Sequence, residues 1–351
     1  MTVEHEESAE WDDLVATLGG QPFQAWAWGE LKRKYGWQPT RLSSADGRSA
    51  AELLIRPFRG LAVGYVPRGP VLRPRDRVDP ELIAALVRAA RNRRAAFLRL
   101  EPAVLEDDEQ APEVDADLRA LGFRTAERTL QLRSSIHLDL TPPPDELFKA
   151  FSKGHRADVK RAERNGVTVR AADRDEDFEF LHRMLVVTQE RKTFAFHSAG
   201  YYQTQWRLFG DSARLFIAQH NGRDVAAALV LAWHDYGNYL VAGSTAEALE
   251  QRAVHLLQWH AIRWARERGV RTWDLGGMSD ARGQYEMAAR SGTRTTGELE
   301  RLRATAERDP LDGVYRFKKG WGGRVVRTVP AYDRVFIGPA YWLWRWRRGE
   351  A

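Results

Sequence analysis

Aromatic residues, two lysines and three glycines crowd Tyr315-Arg316-Phe317-Lys318-Lys319-Gly320-Trp321-Gly322-Gly323. A lysine ammonium is a mobile point charge suited to an anionic oxygen. Glycines let a substrate come close to the main chain. The plain alternative is a glycine-rich turn whose lysines are only solvated. Other groups able to do chemistry lie elsewhere. Glu101 closes the apolar run Ala96-Phe97-Leu98-Arg99-Leu100, which reads as a strand delivering a carboxylate to its end. Lys149, Lys153, Arg156, Lys160 and Arg164 recur at spacings of four, three, four and four. On one helix they would form a cationic stripe, either solvated or laid on phosphates. His182 and His260 have no ligand-spaced partner, so a metal site is not expected.

Those residues need a frame of some size. A chain of 351 residues suits two domains, and thirteen tryptophans supply core material. The net charge of +6 is compatible with an acidic partner such as RNA, a phosphorylated substrate or an anionic membrane surface. With no cysteine, disulfides, thiol catalysis and cysteine-ligated zinc are excluded. Met1–Asp13 is acidic without an apolar stretch, so a signal peptide is not expected and a cytoplasmic protein is. No uncharged apolar run reaches membrane-spanning length.

The first half reads as a short amphipathic helix ending near Gly36, then strands over Thr40–Leu42, Ala51–Arg56 and Leu61–Val66. A helix over Pro80–Arg94, the strand ending at Glu101 and a last strand over Ile136–Leu140 complete it. Thr141-Pro142-Pro143-Pro144 breaks the chain and marks a boundary, with one domain over 1–141 and another over 142–333. The second half predicts one helix from Asp145 to Asn165, then helices over Asp175–Arg191 and Ala199–Phe209. An antiparallel meander follows over Ala213–Ala218, Val225–His234 and Tyr236–Gly243, with turns at Asn221-Gly222 and 234–237. A helix over Ala253–Arg268 leads into the strand Thr272–Leu275. Residues 281–310 read as a polar mobile loop, partly helical at most, and the aromatic tail 334–351 as a closing helix or an interfacial anchor.

This order resembles an acyltransferase of the GNAT type, with a shortened version in the first half. The fold expected is therefore α+β: two tandem GNAT-like domains with mostly antiparallel sheets and no coiled-coil arm. An acetyl-CoA enzyme of that type needs a glycine-bearing backbone nest before its central helix. The junction here, Glu250-Gln251-Arg252-Ala253-Val254-His255, has no glycine, which weighs against acyl-CoA.

A closer resemblance rests on segments spread in order along the chain: 26–37 (Trp-Ala-Trp-Gly-Glu-Leu-Lys-Arg-Lys-Tyr-Gly-Trp), 65–71, 152–167, Gly243-Ser244, Leu257-Gln258-Trp259, Trp273-Asp274-Leu275-Gly276-Gly277 and Phe317-Lys318-Lys319-Gly320. Together they resemble the FemABX family of aminoacyl-tRNA-dependent peptidyltransferases. The resemblance implies that the tail 334–351 returns to the first domain, and it implies transfer of an amino acid from tRNA to an amine of a peptidoglycan precursor, with aminoacyl-tRNA as co-substrate and no cofactor. It implies Lys318 facing the ester carbonyl, Phe317 stacking on the terminal adenine, and the basic stripe on tRNA phosphates. Lys32, Arg68 and Tyr201 resemble precursor-binding positions. Glu101 matches an acidic position able to accept the amine's proton. His197 and His255 stand where relatives tend to carry arginine and tyrosine, which leaves the acceptor open. A small amine in antibiotic biosynthesis or resistance is then an alternative acceptor, and a non-catalytic tRNA-binding relative a further one. A monomer is expected, in possible peripheral contact with the inner membrane surface through its tail. Asp274 reads as capping the Gly276-Gly277 turn.

Overall fold

The computed structural model describes residues 2–58, 60–189, 196–292 and 294–347. The end of the helix expected to reach Arg191, and the last residues of the tail, lie outside the described residues. The chain divides into two compact units, one over 1–133 with 327–351, the other over 134–326.

The first unit opens with β1 (Thr2–Glu4), α1 (Ser8–Thr17) and α2 (Trp26–Lys34), the last entered through a 3-10 turn at Pro22–Gln24. Then come β2 (Gln38–Ser44), β3 (Ser49–Phe58), β4 (Leu61–Arg68), β5 (Val71–Leu72), α3 (Pro80–Asn92), β6 (Ala95–Pro102), α4 (Ala111–Ala120) and β7 (Arg124–Thr125). Asp79 caps α3 by accepting from Glu81 N at 2.8 Å, with Pro80 in the first turn. Leu82, Ile83, Leu86, Val87 and Ala90 bury one face of that helix. Every residue of β6 is buried, as a central strand requires, and β6 runs parallel to β4.

The second unit begins earlier than the proline run suggests. β8 (Ser134–Asp139) pairs with β13 (Thr272–Gly277), so the strand read as closing the first half belongs to the second sheet. Alternation identifies a strand but not its partner, which is why the boundary was read at 141. Next are α5 (Pro144–Ala150), α6 (Lys153–Arg164), β9 (Thr168–Ala171), α7 (Glu176–Gln189), α8 (Ala199–Phe209), β10 (Ala213–His220), β11 (Arg223–Trp233) and β12 (Tyr236–Ser244). α9 (Ala246–Glu250) and α10 (Ala253–Glu267) precede β13; α11 (Asp280–Ser291), α12 (Thr296–Arg308), α13 (Asp312–Lys319) and β14 (Arg324–Arg327) follow it. The sheet order is β14-β8-β13-β12-β11-β10-β9; β8 with β13, and β12 through β11 and β10 to β9, pair antiparallel, while β12 and β13 run parallel. Its core gathers Ile136, Leu138, Phe151, Trp259, Trp273 and Trp321.

The chain then returns to the first sheet as β15 (Tyr332–Val335), between β6 and β7, and ends in α14 (Gly338–Arg347). The return starts at 327, not 334.

Three local expectations are corrected. Helix 145–165 is two helices, broken at Phe151-Ser152. Ser152 Oγ accepts from His155 N at 3.2 Å, and this cap offers the backbone an alternative to continuing the helix. Residues 281–310 hold α11 and α12, and α12 starts with a capping box of Thr295 and Glu298. Their polarity is that of exposed helices carrying pairs such as Arg303–Glu307 at 2.8 Å. The stretch 315–323 is mostly the end of α13 rather than a loop.

Candidate functional site

In the first unit, α2 sets Lys32 by packing onto a buried ion pair. Arg41 Nε meets Glu52 Oε2 at 2.9 Å, and both side chains are buried. A Cβ at Gly29 would lie 2.1 Å from that carboxylate oxygen, so only glycine lets the helix settle there. The Trp26 ring covers the Arg41 guanidinium at 3.6 Å. Thus Trp26 and Gly29 of the 26–37 motif are explained by packing, and Lys32 is what they deliver. Its ammonium sits 4.4 Å over the Trp28 ring. Burial, and then the charge of Arg56, lower its pKa to about 8.

Arg56 lies over Trp37 at 5.5 Å, and Trp37 approaches Tyr65 at 6.3 Å. The Tyr65 hydroxyl donates to Glu101 Oε2 at 2.7 Å. Glu101 also accepts from Leu130 N at 2.5 Å and from Gln131 N at 3.0 Å. Arg68, buried and at φ 51°, donates to Leu132 O at 2.9 Å. Glu101 and Arg68 therefore grip the strap 130–132 from the ends of the parallel strands β6 and β4. The carboxyl of Glu101 is pushed up by burial, while its hydrogen bonds and Arg68 oppose the rise. The expectation that Glu101 takes a proton from the amine meets a carboxylate with both oxygens already accepting. Tyr65, its donor, was not singled out from the sequence.

In the second unit, Lys318 Nζ donates to Gly276 O at 2.8 Å and Gly277 O at 2.7 Å. Asp274 turns that glycine pair, accepting from Gly276 N at 2.8 Å. Gly276 takes φ 79°, and a Cβ there would lie 2.9 Å from Tyr239 O. Here the sheet opens. β12 and β13 pair only from Tyr236↔Thr272 to Asn238↔Asp274, after which these parallel strands are no longer bonded to each other. A shift in β12 between the partners of Leu229 and Val230 bends it at the same level. Lys318 thus stands at the point where two parallel strands part, where backbone groups are released from the ladder.

The same end of α13 is clamped by the first turn of α6. His155 Nε2 donates to Phe317 O at 2.8 Å; a carbonyl only accepts, so Nε2 carries the proton. Nδ1 then accepts from the Ser152 hydroxyl at 3.2 Å, and Ser152 N donates to Gly320 O at 2.8 Å. A Cβ at Gly320 would fall 2.0 Å from the His155 ring, which is why glycine follows the two lysines. The half-buried Phe317 ring lies 5.5 Å from His155, 5.2 Å from His255 and 6.1 Å from Trp321. His155 was missed, although a serine three residues before it, Ser152-Lys153-Gly154-His155, has the cap spacing.

His255 is held neutral, its pKa lowered to about 4 by burial and then by His155. Asp158 lies 3.5 Å from it and 3.3 Å from Arg252. The Asp158 carboxylate is thus paired with the side chains of Arg252, just before α10, and His255, in its first turn. Tyr201 and His197 form their own stacked pair, 3.7 Å between centroids, with Tyr201 buried.

The basic stripe is shorter than expected. Lys149 belongs to α5, and Arg156 is spent on the main chain, donating to Lys149 O at 2.8 Å and to Phe151 O. Lys153, Lys160 and Arg164 remain exposed on α6. Among the described residues no group of three or more His, Asp or Glu could hold a metal ion.

Comparison with known proteins fits this geometry. A lipid II:glycine glycyltransferase of Staphylococcus aureus is 26% identical, over 92% of this chain and 90% of its own length. The crystal structure of FemX superposes with a TM-score of 0.80 at 20% identity, over 98% of this chain and 99% of that one. A tandem GNAT protein from the clavulanic acid biosynthesis pathway superposes at 0.52 and 14% identity, over 97% and 99%. The last two show a shared fold of tandem GNAT-like units. The model of the FemAB family matches residues 7–225 and 219–345, nearly the whole chain, and the protein belongs to that family.

Proposed function

We propose that this protein is an aminoacyltransferase that joins an amino acid, carried as an ester on tRNA, to an amine of a peptidoglycan precursor. The observation that carries the reading is Lys318, anchored by two carbonyls at the opening between β12 and β13. It sits in a FemAB chain whose relative is named for glycine transfer to lipid II.

The amine nitrogen attacks the ester carbonyl and forms the C–N bond. The carbonyl oxygen becomes an oxyanion, the bond to the ribose oxygen then breaks, and the amine's proton ends on that oxygen. The charge of Lys318 stabilises the oxyanion, a role that asks for a fixed cation rather than a proton donor. Phe317 offers an aromatic face to the terminal base, and Lys153, Lys160 and Arg164 a cationic face to tRNA phosphates. Lys32 supplies charge for phosphates of the precursor. Glu101 and Arg68 hold the strap 130–132 and act by position. A reaction fed by charged tRNA belongs in the cytoplasm.

A second acceptor, a small amine, is favoured by one observation: Tyr201 and His197 are stacked on each other, so neither is presented alone to a precursor. Acyl-CoA is disfavoured by the junction 250–255 ahead of α10, which has no glycine for a backbone nest. The test supplies purified protein with a pool of charged, radiolabelled tRNAs and a UDP-linked pentapeptide, a lipid-linked precursor or a mixture of small amines. Label in either precursor supports the proposal. Label only in small amines replaces the acceptor, and no transfer from any charged tRNA rejects the donor.

A further inference from the structure

The C-terminal helix α14 is fixed on one side and bare on the other. Tyr341 packs its ring against Phe97 at 5.1 Å and donates from its hydroxyl to the buried Asp333 at 2.6 Å. Trp344 meets Phe97 at 4.7 Å and covers the Arg99 guanidinium at 4.8 Å. The helix is therefore seated rather than trailing. Yet Trp342 and Trp346 are each 60% exposed and Leu343 46%, with Ile337 exposed just before the helix. At about 100° per residue these three helical positions fall within an arc of about 100°. In the same repeat Arg345 borders the arc. Arg345 is paired with Glu127 at 2.6 Å, and the sequence continues with Arg347-Arg348.

Two tryptophans and a leucine flanked by arginine match what a helix needs to lie in the headgroup layer, its rings at the acyl boundary and its guanidinium groups on phosphates. No helix of the described residues is long and apolar enough to cross a membrane, so contact would be along the surface. We propose that α14 docks the protein on an anionic lipid surface through Trp342, Leu343 and Trp346. This goes beyond the transfer reaction: it brings the enzyme to acceptors embedded in lipid and is irrelevant to soluble ones.

The test is co-sedimentation of the full chain with vesicles of phosphatidylcholine, and of phosphatidylcholine with one-third phosphatidylglycerol, with sedimentation velocity without lipid. The wild type should partition to the anionic vesicles, and less to neutral ones. The double variant Trp342→Ala/Trp346→Ala should lose roughly tenfold in partition, while transferring to a soluble UDP-linked precursor as well as wild type. Equal partition of variant and wild type overturns the proposal, as does no partition at all. A concentration-dependent dimer that the double variant abolishes, without vesicle binding, gives the face to a second copy of the chain. If wild type transfers to neither acceptor, the reaction has failed rather than the docking face.

Discussion

At the scale of single residues, the two lysines after Phe317 have different positions. Lys318 reaches the glycine carbonyls at the end of β13, whereas Lys319 approaches Gly323 O, at 3.4 Å, within its own turn. Lys319→Ala should accordingly leave turnover close to wild type and serves as the control for Lys318→Ala. Lys32 carries a pH dependence of known sign. Its lowered pKa of about 8 means it is cationic below that pH and neutral above it. The KM for a phosphate-bearing precursor should rise as pH passes about 8, and Lys32→Ala should raise KM and flatten that rise. A KM independent of both pH and Lys32 would remove it from binding. His155 positions Lys318 through the Phe317 carbonyl. His155→Ala should lower kcat more than it raises KM, and His155→Gln, which keeps a donor, should recover part of it; equal loss in both would argue for a general packing defect. Lys318 was singled out through the family resemblance, since its loop alone left a solvated glycine-rich turn equally open. His155 was not, because its partner is a carbonyl distant in sequence and carbonyls leave no mark in a sequence pattern.

At the scale of elements, the break between α5 and α6 decides both the clamp and the basic face. Ser152→Ala removes the cap and should cost about 1 kcal/mol of stability, seen as a lower denaturant midpoint. An unchanged midpoint would mean that Arg156 on Lys149 O and Phe151 O holds the break alone. If α6 lies on tRNA, replacing Lys160 or Arg164 by alanine should reduce the salt slope of tRNA binding by about one, for every tRNA tested. Lys149→Ala, on the other helix, should not. The existence of α2, α3, α8 and α10 was readable from periodicity and glycine stops. The break was not, since Lys149 to Arg164 keeps a helical spacing straight through Phe151-Ser152. The helices of 281–310 were hidden for the opposite reason: their faces are polar and salt-paired, so there is little apolar period to see.

At the scale of the molecule, the return of the chain to the first sheet rests on a buried ion pair. Arg99 Nε and Nη2 donate to the two oxygens of Asp333 at 2.7 and 2.8 Å, with both side chains fully buried. Asp333→Ala would leave a buried guanidinium uncompensated and should cost about 3–5 kcal/mol. Such a pairing across the length of the chain is invisible to local pattern; the return of the tail was implied only by the family resemblance. Acid should also weaken the second unit. His155 and His255 have pKa values below their unfolded value of about 6.5, so the unfolded chain binds protons more readily. Their contribution is complete above about pH 6.5 and is lost as pH falls towards about 4 for His255. Tm should drop through that window, and less so in His255→Gln. The central claim, that a fixed cation at the parting of β12 and β13 stabilises the oxyanion of an ester on tRNA, is tested most directly by single-turnover transfer from charged tRNA. Lys318→Ala should slow transfer by about 2–4 kcal/mol in barrier, roughly 30- to 1000-fold, with tRNA affinity nearly unchanged. Transfer at the wild-type rate in Lys318→Ala would contradict it.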